Sequence, residues 1–311
     1  MTRFQRGGRA EVAAEGARAT TLASLHRQPG SDVLRNRIFV GLLFVALSVA
    51  MVGLALILID AFIEGKGKLS LDLVTKSTSS DPDTAGFQQA ILGTIWLIGF
   101  VMLMVVPLGV GAAIYLEEYA NKERWWNRLI EINIQNLAAV PAIIYGILGL
   151  AFIVRGPLDF GFILFSGSMT LALLVLPTLI IASREAIRAV PPSIREGALA
   201  LGATEWQTIR RQVLPAAFPG VLTGVILSIS RAIGEAAPLL LLGAATFVTF
   251  NPQPFDDTGW TALPVQIFQY AARPQPEIRE LAAAGIILML AVLLLMNSTA
   301  IWLRNRYEQR W

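Results

Sequence analysis

Cysteine is missing from this 311-residue sequence, and histidine occurs once, at His26. Disulfides, thiolate nucleophiles and cysteine-based metal sites are thereby excluded. Charge is scarce too: Asp, Glu, Lys and Arg make up 15% of the residues, where soluble domains carry about 25%. The scarcity is uneven. Residues 38–59, 90–116, 132–154, 160–183 and 281–303 contain no charged side chain. A phosphate-cradling Walker A glycine loop is also absent, so the chain is not expected to bind ATP itself.

What fills the uncharged stretches is apolar. Hydrophobic residues are 55% of the chain, and its mean hydropathy is +0.60. Each stretch exceeds the roughly 20 residues a helix needs to cross the hydrocarbon of a bilayer. Buried helices of a large soluble protein are the plainer reading, but such helices seldom run this far without a charge, and here five do. The strict alternation of a barrel strand is lacking, so helices are expected. A sixth block, residues 216–250, carries two charges, Arg231 and Glu235. It is longer than one span requires and holds Pro238, which predicts a kink or an end there. The sequence thus predicts an all-α polytopic membrane protein with six transmembrane helices.

Lys and Arg set the expected orientation. Of 25, 18 fall in the first 37 residues, the second and fourth loops and the C-terminal tail; six fall in the first, third and fifth loops. That bias predicts both termini in the cytoplasm. Residues 1–37 lack an apolar stripe and read as a disordered basic arm lying against anionic lipid. The 22-residue block that follows is too long for the core of a signal peptide. Residues 38–311 read as one membrane domain. Its first outer loop, 60–89, is long enough to meet another protein. Its fifth, 251–280, is broken by prolines, and Leu263, Ile267, Phe268 and Ala271 are expected on one face of a short surface helix. Trp125 and Trp126 suit the interface between lipid and water.

The stretch 189–219, between spans four and five, describes two short helices joined by a glycine. Ser193 and Glu196 have capping-box spacing behind Pro191-Pro192, and Thr204 and Gln207 have it again. Ile194, Ala198 and Leu201 recur on one face, and Trp206, Ile209 and Val213 on the next. Gly202 stands where a helix ends in a left-handed turn, and Pro215 is expected to limit the second helix. A rigid cytoplasmic knob of this kind is a shape for docking a partner.

Arg231 falls near mid-bilayer on a straight fifth helix, with Glu235 one turn on and on the same face. Charges at that depth usually face one another or a water-filled cavity. Gly220, Gly224, Ser228, Ala232 and Ala236 form an adjacent stripe of small residues that permits close helix approach. Arg231 is therefore a candidate for meeting an anion in transit through forked hydrogen bonds, with Glu235 orienting it. The plainer alternative is an ion pair that only locks helix packing.

The segment 189–219 resembles the EAA loop of binding-protein-dependent ABC importer permeases. Glu196-Gly197-Ala198, Gly202 in register and Leu214-Pro215 at the expected distance carry the resemblance. It departs at Gly197, where the pattern has Ala, and at Gln212, where an aliphatic residue is usual. Over most of the chain, Leu108 to Tyr119, Val140 to Gly146, the stretch from Ala200 to Thr204 through Ile233 to Glu235, Gly234 to Leu239 and Leu263 to Ile267 are similar to the phosphate-importer branch of the family. Ala236 replaces its usual Thr. The resemblance implies the type I (MetI-like) permease fold in a bacterial inner membrane. It implies that Glu196, Ala198, Leu201 and Gly202 line a coupling surface for the ATPase. The implied partners are a second, PstC-like permease, two PstB-like ATP-binding subunits and a PstS-like periplasmic phosphate-binding protein, besides lipid and inorganic phosphate. No cofactor, metal or nucleic acid is implied, and no catalytic residue. A permease for sulfate, molybdate or phosphonate is the alternative within the family. A membrane enzyme would need a constellation of His, carboxylates or nucleophiles. A passive channel or scaffold would have no use for the cytoplasmic knob.

Overall fold

A computed structural model describes residues 30–121, 123–244, 248–256 and 259–307. Every regular element among them is helical. Among the described residues, five helices are long and apolar enough to cross a membrane, or six if one bent pair counts as a single span. The chain divides into two compact units, Met1–Asp60 and Ala61–Trp311.

The first unit is described from Gly30 onward and consists of helix α1, Gly30–Gly65, which continues a few residues past it. At 36 residues, α1 is about 54 Å long, well beyond one hydrocarbon thickness. Residues 30–37 of the expected basic arm are therefore helical; residues 1–29 lie outside the described residues. From Val33 to Asp60 nearly every side chain is exposed within this chain.

The second unit is a bundle built on α2, Gln88–Ile114, and α5, Leu164–Arg188. Leu97, Val101, Val105, Leu171, Leu174 and Leu179 belong to its main buried cluster. Lipid tails are as apolar as leucine, so close fit and polar ties must hold such helices together. Gly109 allows that fit, since a Cβ there would lie 2.8 Å from Leu179 Cδ2. The fifth span, α8, Leu214–Gly234, packs on α5 through the predicted small-residue stripe. A Cβ on Gly220 would lie 2.7 Å from that of Ala186, and one on Gly224 2.8 Å from that of Ala182. Ser228 and Ala232 are buried. Ala236 lies past the helix end and is not part of the stripe. On its other side α8 meets the last helix, α11, Pro276–Tyr307, where Ser230 Oγ donates to Asn297 Oδ1 at 2.7 Å.

The third apolar block is not one straight span. It divides into α3, Trp125–Ala138, and α4, Ala142–Leu148, which continues through a π-helical turn to Val154; the two halves meet at 105°. Pro141 lies at the break and keeps Val140 out of helical conformation. Across the bend the Tyr145 hydroxyl donates to Leu137 O at 2.9 Å, beside the Val140 N–H that the same carbonyl accepts at 3.2 Å.

The first and fifth loops are tied into the bundle rather than lying free. Gln89 is buried and accepts from Thr78 N at 2.8 Å while donating to Ser77 Oγ at 2.9 Å. Helix α10, Leu263–Ala271, exists as predicted but not on the surface. Leu263, Gln266, Ile267 and Tyr270 are buried, whereas Phe268 and Ala271 face outward. Thr94 Oγ1 accepts the Leu263 N–H at 2.8 Å, and the close pass of Gly93 beneath Thr261 O leaves no room for a Cβ. Trp260, fully buried, fills the space above Gly167 and donates to Phe162 O at 3.0 Å.

Candidate functional site: a docking knob and an interrupted span

The knob forms with a different entry from the one expected. Helix α6, Pro192–Ala200, has Pro191 as its N-cap and no side-chain cap bond. Pro192, with φ pre-set by its ring, opens the helix at its first position, so Ser193 falls inside and the Ser193–Glu196 box does not form. The second box does. Thr204 Oγ1 accepts from Gln207 N at 3.3 Å and Gln207 Oε1 accepts from Thr204 N at 3.0 Å, opening α7, Glu205–Thr208. Between them Gly202 adopts φ +84°, the left-handed turn that glycine allows,.

The four predicted coupling residues are brought together at this turn. Glu196 and Gly202 are exposed, Ala198 is half-buried, and Leu201, just past the end of α6, is 91% exposed. Leu201 therefore does not share the inward face with Ile194 and Ala198, because the chain has begun its turn there. Trp206 is exposed as well, while Ile209 and Val213 are buried. Leu199, Leu201 and Trp206 thus project apolar surface from a knob that otherwise carries charge, a feature of partner-binding sites.

Pro215 does not stop the second helix. A π-helical turn over Ile209–Val213 sends the Leu214 N–H back five residues to Ile209 O. That extra residue accommodates the proline ring just after it, as π-bulges do where a helix must absorb a local misfit. The knob consequently runs into the fifth span as one 30-residue helix, Glu205–Gly234.

Arg231 lies in the last turn of that helix, where its charge complements the helix dipole,. Glu235 follows in extended conformation, with ψ 114°. The two are thus not on one helical face, and they form no ion pair. Arg231 instead reaches Thr178 on α5, at 3.4 Å from Nη1 to Oγ1, and its side chain is exposed to the outside of this chain. The helix resumes as α9, Ala237–Leu241. That break sits against the bend of the third block, where a Cβ on Gly146 would be 2.7 Å from Pro238 Cα. Two interrupted helices therefore meet beside Arg231. In a membrane, non-helical backbone is tolerated where protein buries it or where it lines a water-filled cavity.

Thr178 and Tyr145 were not singled out from the sequence as site residues. Their role depends on which helix faces which, and neither spacing nor composition records that.

The profile of the family described as "binding-protein-dependent transport system inner membrane component" matches residues 105–311. The phosphate transport system permease protein PstA of Haemophilus influenzae is 33% identical over 264 residues, covering 84% of this chain and 91% of that one. PstA of Yersinia pestis is 34% identical over 288 residues, 91% of this chain and 94% of that one. A solved bacterial alginate ABC transporter, in complex with its alginate-bound periplasmic protein, contains a chain that shares the fold. Its TM-score is 0.63 at 17% identity, over 87% of this chain and 94% of that one. With its multi-pass all-helical architecture, this chain belongs to the family of binding-protein-dependent inner-membrane transport components and has the type I (MetI-like) ABC importer permease fold.

Proposed function

We propose that this chain is the permease subunit of an ATP-driven phosphate importer and forms half of its translocation pore. A second, PstC-like permease supplies the other half, and a PstS-like periplasmic protein delivers phosphate. Two PstB-like subunits hydrolyse ATP, one of them docking on the knob formed by Glu196, Ala198, Leu201 and Gly202. Both termini face the cytoplasm, in keeping with the Lys and Arg distribution.

The observation that carries the reading is Arg231 at an interrupted helix end, turned out of its own chain. A guanidinium left to lipid would be costly, so it calls for water, an anion or a facing subunit. Phosphate oxygens fit it through paired, charge-assisted hydrogen bonds. Glu235, half-buried nearby in sequence and held off the helix, keeps the local charge from binding an anion too firmly. The phosphate assignment itself rests on the PstA relatives.

Radiolabelled phosphate uptake by the assembled complex tests the proposal, with Arg231→Ala and Arg231→Gln compared at equal abundance in the membrane. Uptake should fall at least about tenfold, the scale of a lost charge-assisted contact. Undiminished uptake would remove Arg231 from the pathway. Sulfate or molybdate taken up in preference to phosphate would replace the substrate.

A further inference from the structure

Helix α6 buries none of its side chains. Packing alone holds it lightly, with Ile194 resting against the cluster of Ala113, Ile187, Val190 and Val213. Its firm attachment is ionic. Arg195 Nε lies 3.2 and 3.3 Å from the two carboxylate oxygens of Glu118, and Nη2 lies 2.7 Å from Oε1. The same guanidinium donates to Val190 O at 2.7 Å and to Ile187 O at 3.0 Å, at the end of α5. One side chain thus joins the knob to two other elements.

Glu118 belongs to the π-helical turn Tyr115–Tyr119 that finishes α2. Its neighbour Glu117 ties the same turn elsewhere. Glu117 accepts from Arg188 at 3.2 and 3.0 Å and pairs with Arg184 at 3.5 Å, and Arg184 reaches Glu131 of α3 at 3.1 Å. The Glu118 and Arg195 side chains are only 10% and 23% exposed, so water screens this pair far less than an ordinary surface ion pair. The planar fork matters. A lysine would offer a point charge, and could not hold a carboxylate and two carbonyls in fixed directions.

We propose that Arg195 is a positioning residue which, through Glu118, carries displacement of the docking knob into α2 and α5. Helix α5 holds Thr178 beside Arg231, so the displacement arrives at the interrupted span. The inference rests on the reading of the knob as the ATPase docking site, and goes beyond it by naming the connection that leads inward.

The test uses the complete complex in lipid vesicles with its binding protein, reading phosphate transported per ATP hydrolysed. Replacing both partners by amides, Glu118→Gln with Arg195→Gln, removes the charges without stranding either one. ATP hydrolysis should stay within about twofold while transport per ATP falls about tenfold, a typical coupling magnitude. Arg195→Lys should fall between. Unchanged transport per ATP in the double amide variant overturns the proposal. Because the chain contains no cysteine, Glu118→Cys with Arg195→Cys supplies a second measurement. The reduced variant should be uncoupled, and bridging the thiols with a short bifunctional reagent should restore coupling; no recovery on bridging also overturns the proposal. The docking reading fails separately, if Leu201→Asp leaves the ATPase bound. If Leu201→Asp releases the ATPase yet the amide variant transports normally, the Arg195 connection alone is wrong.

Discussion

Tyr145 donates its hydroxyl to Leu137 O at 2.9 Å, across a bend of 105° between α3 and α4. Four residues earlier, Pro141 makes the bend possible; this bond adds a side-chain donor to a carbonyl that also accepts the Val140 N–H at 3.2 Å. Tyr145→Phe keeps the ring and removes the bond, which should cost about 1–2 kcal/mol. A lower thermal unfolding midpoint of the purified protein in detergent would show it. A midpoint equal to that of the unaltered protein would mean that the bend does not depend on this bond.

At Gly146, one residue on, the constraint is space. A Cβ would stand 2.7 Å from the Pro238 Cα, a backbone atom that cannot turn aside. Gly146→Val should destabilise the chain by about 1–3 kcal/mol, the usual range for overpacking, and should depress phosphate uptake by parting the two interrupted helices. Uptake at equal membrane abundance measures the second effect.

Gly197 is the opposite case. It lies within α6, and nothing would stand within 4 Å of an added Cβ. Gly197→Ala should therefore stabilise the helix by up to about 1 kcal/mol and leave ATPase co-purification intact. Gly202→Val should do the reverse. The site is equally open, but φ is +84°, and a β-branched residue there costs about 1–2 kcal/mol. Transport-coupled ATP hydrolysis should report the distorted turn.

The Tyr270 phenol titrates above its ordinary value of 10.0, chiefly because burial disfavours the phenolate. It accepts from Ser79 N at 3.3 Å and donates to Gly86 O at 3.1 Å. A raised folded-state pKa means that its contribution to stability is complete below about pH 10 and is lost as pH climbs through the folded value. Ultraviolet titration of phenolate absorbance, compared with Tyr270→Phe, should show one tyrosine ionising late. Ionisation at the ordinary value would place the ring in contact with water.

The membrane character was legible because lipid leaves a coarse record, namely long runs without charge. Finer features depended on contacts that sequence order conceals. Proline was an ambiguous sign. Pro107, Pro177 and Pro219 lie inside helices that continue, whereas Pro141 marks a true break, and a tyrosine several residues away helps hold it. The Thr204–Gln207 box was readable since both bonds are local. The box at Ser193 failed because Pro192 had already claimed the first helical position. The partners of Glu117 and Glu118 were invisible for another reason: Arg188 and Arg195 follow them by 71 and 77 residues. The second helix of the knob was expected to be limited by Pro215, and the fifth span to carry Glu235 on the face of Arg231. Neither holds, because a π-helical turn accommodates the proline and the helix ends at Gly234.

That uninterrupted passage through Pro215 makes Glu205–Gly234 a lever. Thirty residues at 1.5 Å each give an arm of about 45 Å. Tilting such an arm by about 5° about one end sweeps the other through roughly 4 Å, more than the diameter of a water molecule. A small swing at the capped end, near Thr204, is thus enough to move Arg231 by more than a water's width without unwinding a single turn between them.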